Sequence, residues 1–286
     1  MSLPTEPEIT SHRVTGAGGL ELNVLETGEP SGPCVLFIHG FSQSAWAWEC
    51  QLRSPLGATH RLLALDIRGH GESGKPLEPE HYTESERWAD DIAAVMTQCN
   101  AQDVLLVGWS YGGFIICDYL RKHGQSNVSG LVFVGAATKM GTEEAAAMLG
   151  SNLTKHVPAF FGEQTTQTVD ALGTFVRDCF AVPPDIETFY KILGYNAVVP
   201  PAVRKGLFSR RLDNDDVLSS VSVSTAVVHG QADQIVLPAS GEHIGALVPH
   251  AKMHWLEHVG HCPFAEAPQA FNDVIRSMST TNSTAH

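Results

Sequence analysis

The sequence predicts an α/β fold with a mostly parallel sheet covered by helices on both faces, and three features carry that prediction. Apolar runs that read as strands alternate with helical stretches; one strand ends in a glycine-flanked serine turn that opens a helix; and the strand rhythm stops once, over residues 138–211, before resuming. Such alternation is the signature of βαβ units, whose crossover helices bury both faces of a parallel sheet. Strands are expected near residues 21–26, 35–38, 62–66, 104–107, 131–134, 225–229 and 252–256, and helices over 84–98, 114–122, 239–247 and 265–277. The organisation read from this is a core in two parts, 1–137 and 212–278, interrupted by a helical insertion over 138–211. The polar residues 279–286 are expected to form a flexible tail.

The serine turn is Gly108-Trp109-Ser110-Tyr111-Gly112, between the apolar run 104–107 and the helix-like stretch from Phe114. A side chain at the apex of so tight a turn needs positive φ, and the residues two positions away on each side must be very small to avoid it. Gly108 and Gly112 meet that demand. The hydroxyl would then stand clear of the sheet beside the first free N–H groups of the helix.

A serine hydroxyl is a weak nucleophile near neutrality and needs a base, a carboxylate to orient that base, and donors for an oxyanion. The base is sought on a loop after a late strand, and Glu257-His258-Val259-Gly260-His261-Cys262-Pro263 follows such a strand. His261 is preferred to His258 because Gly260 and Pro263 mark a turn that would present its ring. The carboxylate is sought at another strand end, where Asp233 lies three residues past Gly230. Asp213, Asp215 and Asp216 precede that strand in a polar run and read as a solvated turn or helix start. The end of the strand near residue 134 offers no carboxylate.

The order Ser110, Asp233, His261 is the one that accompanies a strand–turn–helix elbow, and from about residue 20 to 278 the chain resembles an α/β-hydrolase-fold enzyme. His39-Gly40-Phe41 is similar to the family's oxyanion turn, the run from Asp66 through Arg68-Gly69-His70-Gly71 to Ser73 to its D-x-R-G-x-G-x-S segment, and the loops around Asp233 and His261 to its acid and histidine loops. The resemblance implies that Ser110 is the nucleophile, His261 the general base and then acid, and Asp233 the orienting carboxylate. It places the oxyanion hole at the backbone N–H groups of Phe41 and Tyr111 and a cap over 138–211. His39 reads as a structural hydrogen-bonder beneath the oxyanion turn, and Asp66 with Arg68 as a loop-organising pair. A serine at the elbow, where related dehalogenases and epoxide hydrolases carry aspartate, implies acyl transfer. The motifs look most like the small carboxylesterases and arylesterases grouped with cofactor-free haloperoxidases, in which hydrogen peroxide can replace water.

Composition agrees with this resemblance. With 286 residues and 43% hydrophobic content the chain can bury a sizeable core, and a formal charge of −13 argues against a nucleic-acid partner. No apolar stretch reaches the roughly 20 residues that span a bilayer, and the start lacks a signal peptide's basic and apolar regions, so no membrane partner and a cytoplasmic location are expected. Six cysteines lie far apart without a C-x-x-C pair, and Cys117 and Cys262 read as small packing residues. No cofactor and no metal are expected, since H-E-x-x-H and a strand-linked G-x-G-x-x-G are absent; His254 and His258 share i, i+4 spacing but straddle a strand and its turn. Trp109 and Val236 are expected to line an apolar pocket of modest size, with some of the cap aromatics Phe160, Phe161, Phe175, Phe180, Phe189, Tyr190, Tyr195 and Phe208 as its roof and most of them ordinary core. No lysine or arginine is expected near it. An uncharged small ester or lactone is the substrate that fits; lactonase, C–C bond hydrolase and perhydrolase chemistry use the same residues, and a receptor that keeps the triad is the alternative outside catalysis.

Overall fold

Continuous apolar runs become strands buried on both faces, and they set the centre of the molecule. In a computed structural model, which describes residues 7–162 and 164–280, the strands are β1 (Thr10–Thr15), β2 (Glu21–Gly28), β3 (Cys34–Ile38), β4 (Arg61–Asp66), β5 (Val104–Trp109), β6 (Val128–Val134), β7 (Lys139–Met140), β8 (Leu212–Asp213), β9 (Ser224–Gly230) and β10 (Lys252–Leu256). The main sheet has the order β1-β2-β4-β3-β5-β6-β9-β10, while β7 and β8 form a separate antiparallel pair. Only β1 with β2 and β2 with β4 are antiparallel in the main sheet. Val35, Leu36, Phe37 and Ile38 of β3 are fully buried, as a strand inside a covered parallel sheet requires.

Flanking helices follow the predicted stretches at Ser85–Gln98, Gly112–His123 and Pro238–Leu247. The stretch expected to run from Ala265 is divided instead into Pro263–Glu266 and Pro268–Thr280. Pro268 causes the division: a residue before proline is disfavoured in helical geometry, and Ala267 has φ −135° and ψ 58°. The final helix includes residues 279 and 280 of the expected tail, and the remainder of that tail, 281–286, lies outside the described residues.

Between β7 and β8 the chain is helical, with longer helices at Thr165–Asp178, Ile186–Ala197 and Pro201–Phe208. Prolines start helices in this segment: Pro158 and Pro201 sit in first turns, where the missing N–H costs nothing. The β7–β8 pair closes the neck. Just before β8, Arg210 Nη2 donates to both carboxylate oxygens of the buried Asp118 on the helix after β5, each at 2.7 Å. No helix among the described residues is long and apolar enough to cross a membrane.

Candidate active site

The parallel strands end at one edge of the sheet, and the candidate residues gather there. Ser110 follows β5 directly and has φ +54°. Its carbonyl accepts the N–H groups of Gly113 and Ala137 at 3.0 and 3.1 Å, and its own N–H donates to Val134 O at 3.0 Å, so the apex is held between β6 and the following helix. The small residues around it also let backbones come together. A Cβ on Gly108 would meet Gly112 O at 2.6 Å and one on Gly112 would meet Ile38 O at 2.6 Å, so these glycines let the helix approach the sheet. The glycine whose added Cβ would meet the serine side chain is Gly40, at 2.9 Å from Ser110 Cβ.

His261 and Asp233 form a buried pair, 1% and 0% exposed, with Nδ1 2.7 Å from Oδ2. The other carboxylate oxygen accepts the N–H groups of Ile235 and Val236 at 2.8 and 3.1 Å. Burial by itself would raise the Asp233 carboxyl, but the adjacent His261 and hydrogen bonds from His229 and His261 hold it down at about 2. An ionised carboxylate at Nδ1 fixes the imidazole proton there and leaves Nε2 as the basic nitrogen. Gly135 makes room for the pair: with φ +45°, an added Cβ would lie 3.2 Å from both Asp233 Oδ2 and His261 Nδ1. His258 is exposed on the turn before, at φ +60°, and does not join this pair.

Five further hydrogen bonds brace the histidine loop and its surroundings. Cys179 O, in the helical segment between β7 and β8, accepts the N–H of His261 at 2.8 Å, and Trp109 Nε1–H donates to His261 O at 2.7 Å. Glu266 Oε1 accepts from Gly260 N and Cys262 N at 3.0 and 3.2 Å, while its Oε2 accepts from Ala181 N of the same helical segment at 2.7 Å. Among the described residues no hydrogen bond joins Ser110 Oγ to His261; in sites without substrate such contacts are often long and tighten in the complex.

The backbone N–H groups of Phe41 and Tyr111 have no acceptor among the described residues. Tyr111 opens the helix after the elbow, where amides lack intrahelical partners. Phe41 is aimed through its neighbour. His39 Nε2 accepts the Ile67 N–H at 3.2 Å, so its proton sits on Nδ1 and is donated to Gly40 O at 2.8 Å. That carbonyl and the Phe41 N–H belong to one trans peptide and point opposite ways, so holding one directs the other. Burial lowers the His39 imidazole to about 4, which keeps it neutral for this task. His70 is buried alongside and accepts Ser42 N–H at 3.1 Å.

The expected Asp66–Arg68 pair is not formed. Asp66 accepts N–H groups from Ala45 at 2.7 Å and Glu72 at 2.9 Å, while Arg68 pairs with Asp91 at 2.7 and 2.8 Å. Each organises a loop, with a different partner.

Ser110 faces a cavity of about 40 Å³ whose walls include Phe41, Phe114, Leu153, Phe175, Phe208 and Val236. Trp109 is elsewhere: it lines a second cavity, of about 130 Å³, with Cys179, Tyr195 and Cys262. Strand alternation sends neighbouring side chains to opposite faces, a signal present in the sequence. A lysine does border the serine cavity, against expectation. Lys139 contributes to its wall, but its ammonium is bound at 2.6 Å to both Glu144 and Asp215. Asp215 and Asp216 begin the helix Asp215–Ser219, and Asp216 also pairs with Arg121 at 2.6 Å, so this acidic run ties the neck to the core. Glu144, Asp215 and His243 have atoms close enough for a shared ion, yet the Lys139 ammonium already supplies the positive charge there.

A mostly parallel sheet with a serine on a strand–helix elbow and a carboxylate-backed histidine at later strand ends is the architecture of the α/β hydrolases. A family model for the alpha/beta hydrolase fold matches residues 33–268, and the chain belongs to that family. An esterase from Rhodococcus sp. ECU1013 superposes with TM-score 0.89 at 33% identity, over 94% of this chain and 98% of that one. A non-heme haloperoxidase of Rhodococcus erythropolis is 29% identical over 84% of this chain and 89% of its own length. A bifunctional esterase/perhydrolase of Acinetobacter calcoaceticus is 26% identical over the same 84% and 89%. These similarities mark the chain as a hydrolase with esterase and haloperoxidase relatives.

Proposed function

We propose that the protein hydrolyses small, largely apolar carboxylic esters through an acyl-serine intermediate on Ser110. The observation that carries this reading is the buried 2.7 Å pair of His261 with Asp233 at the sheet edge that also presents Ser110 at positive φ. In the proposed reaction His261 Nε2 takes the Ser110 proton as Oγ attacks the ester carbonyl. The negative charge that develops on the carbonyl oxygen is met by the N–H groups of Phe41 and Tyr111. His261 then gives its proton to the departing alcohol, and water, activated by the same nitrogen, releases the acid. Asp233 holds the ring and stabilises the imidazolium without taking the proton.

The narrow serine cavity, with its phenylalanine walls, favours a short uncharged acyl chain. Hydrogen peroxide in place of water at the last step would give a peracid from the same acyl-enzyme, a reading favoured by the relatives named for haloperoxidase and perhydrolase activity.

Turnover of short p-nitrophenyl esters tests the proposal. Ser110→Ala is expected to abolish it while the thermal unfolding curve stays near that of the parent, and a fluorophosphonate is expected to label Ser110. Full activity in the alanine variant, or labelling elsewhere, would overturn the acyl-serine reading. Asp233→Asn is expected to lower kcat by about 10⁴, because an amide at that position favours the wrong imidazole tautomer.

A further inference from the structure

Asp233 stands against two histidines, and the proposed reaction uses one of them. The other, His229 near the end of β9, is fully buried, with Nε2 2.9 Å from Val236 O and 3.4 Å from Asp233 Oδ2. Both neighbours are acceptors, so the ring proton sits on Nε2. Nδ1 is buried without a hydrogen-bond partner among the described residues, and the helix Pro238–Leu247 closes that side of the ring: a Cβ added to Gly241 would lie 2.8 Å from Nδ1. The one N–H that the ring offers is therefore given to the acid loop.

That N–H serves the loop twice. Val236, whose carbonyl accepts it, donates its own N–H to Asp233 Oδ1 at 3.1 Å, so His229, Val236 and Asp233 close a small cycle of contacts around the carboxylate. Oδ2, the oxygen beside His229, is also the one that accepts the His261 Nδ1–H at 2.7 Å. Two imidazole N–H groups thus converge on one oxygen. The longer contact draws on negative charge that the shorter one would otherwise have to itself, because each donor near a carboxylate stabilises its ionised form.

From this geometry we infer that His229 is a positioning residue for the reaction: it fixes the plane of the Asp233 carboxylate and moderates its pull on the His261 proton. The inference rests on the acyl-serine reading above, since His261 is the route by which such moderation reaches Ser110. Without the His229 N–H, the carboxylate would favour the imidazolium form of His261 more strongly, and the base would stay protonated to higher pH. The other titratable groups around the pair are Cys262 and Glu266 on the histidine loop and Cys179 from the helical segment between β7 and β8. Burial keeps Cys262 a thiol, and the Glu266 carboxylate is taken up by three backbone N–H groups. Cys179 meets His261 through its carbonyl. On the elements packed against His229 itself, β10 and the helix Pro238–Leu247, the facing residues are Trp255 and Gly241, neither of which titrates.

The test compares pH–rate profiles of the parent, His229→Phe and His229→Gln on a short p-nitrophenyl ester. Phenylalanine keeps the ring and removes the N–H; glutamine can return an N–H close to the position of Nε2. In His229→Phe the acid-side midpoint of kcat/KM is expected to move up by about 0.5 to 1 pH unit, and plateau kcat to fall about tenfold with KM little changed. His229→Gln is expected to bring the midpoint most of the way back. A purely structural histidine would lower stability or kcat and leave the midpoint where it is. Two NMR measurements do not depend on turnover. In the unaltered chain with isotope-labelled histidine, the His229 proton is expected on Nε2. In Ser110→Ala protein, adding His229→Phe is expected to move the His261 Nδ1–H resonance downfield as its bond to Oδ2 strengthens; where the phenylalanine variant fails to fold, the unaltered chain and His229→Gln carry the test. The proposal is overturned if the midpoint stays at the parent value in a folded His229→Phe protein, if the His229 proton resides on Nδ1, or if the His261 resonance does not move. Failure of the acyl-serine reading would show separately, as ester turnover surviving in Ser110→Ala, and the NMR measurements would still decide the part played by His229.

Discussion

Under the proposed mechanism, His39 would act on the reacting atoms from a distance, through a single carbonyl. Its Nδ1–H fixes Gly40 O, and the rigid peptide transmits that orientation to the Phe41 N–H. Replacing it with phenylalanine keeps a ring but removes both hydrogen bonds. We expect kcat to fall by about 10- to 100-fold, short of the roughly 10²–10³ that follows outright loss of an oxyanion donor. KM should change far less, and steady-state kinetics on a short p-nitrophenyl ester will show the split. At this scale the sequence is readable where a residue type has local punctuation: Ser110 between glycines, Asp233 past a strand-ending glycine, His261 between Gly260 and Pro263. It is less readable where partners are distant in sequence. Arg68 finds Asp91, and Gly135 clears space for a pair contributed by two later loops.

Between residues and the whole fold, elements are legible in proportion to their apolar content. β3 is apolar throughout, whereas β1, Thr-Ser-His-Arg-Val-Thr, has Val14 as its one buried residue and pairs on one side alone, so no alternation reveals it. The division of the last helical stretch at Pro268 was available from the proline itself. What Glu266 does is visible only in three dimensions: one carboxylate accepts two N–H groups from the histidine loop and one from Ala181. Glu266→Ala would leave those donors unpaired and let the loop drift from its position over the elbow. We expect a loss of roughly 2–4 kcal/mol in stability, given the size of hydrogen bonds to charged groups. A fall in kcat exceeding the rise in KM should accompany it. Glu266→Gln, which keeps one oxygen acceptor, should recover part of both, as denaturant melts and kinetics on the two variants will show.

Acid tolerance is a property of the whole molecule, because it sums groups the fold holds in one protonation state. His39 and His70 are buried, and burial pushes His39 down to about 4 and His70 well below its ordinary value. As pH falls from about 6.5 towards 4, the unfolded chain takes up protons on these rings that the folded protein refuses. Their contribution is therefore complete above about pH 6.5 and drains away below it. Asp233 acts in a lower window: held at about 2, it contributes above about pH 4 and loses that contribution as pH falls towards 2. Unfolding should thus be eased by acid well before carboxylates titrate. We expect the Tm to drop by roughly 5–10 °C between pH 7 and pH 4.5, from a few kcal/mol in a domain of this size. His70→Gln removes one of these two fully buried rings. Whatever its Tm at pH 7, the variant's Tm should fall less steeply across that interval than the parent's, and calorimetric scans at four or five pH values will measure the slope. Equal slopes would mean that the acid response arises elsewhere than in the buried pair of histidines beside Gly40 and Ser42.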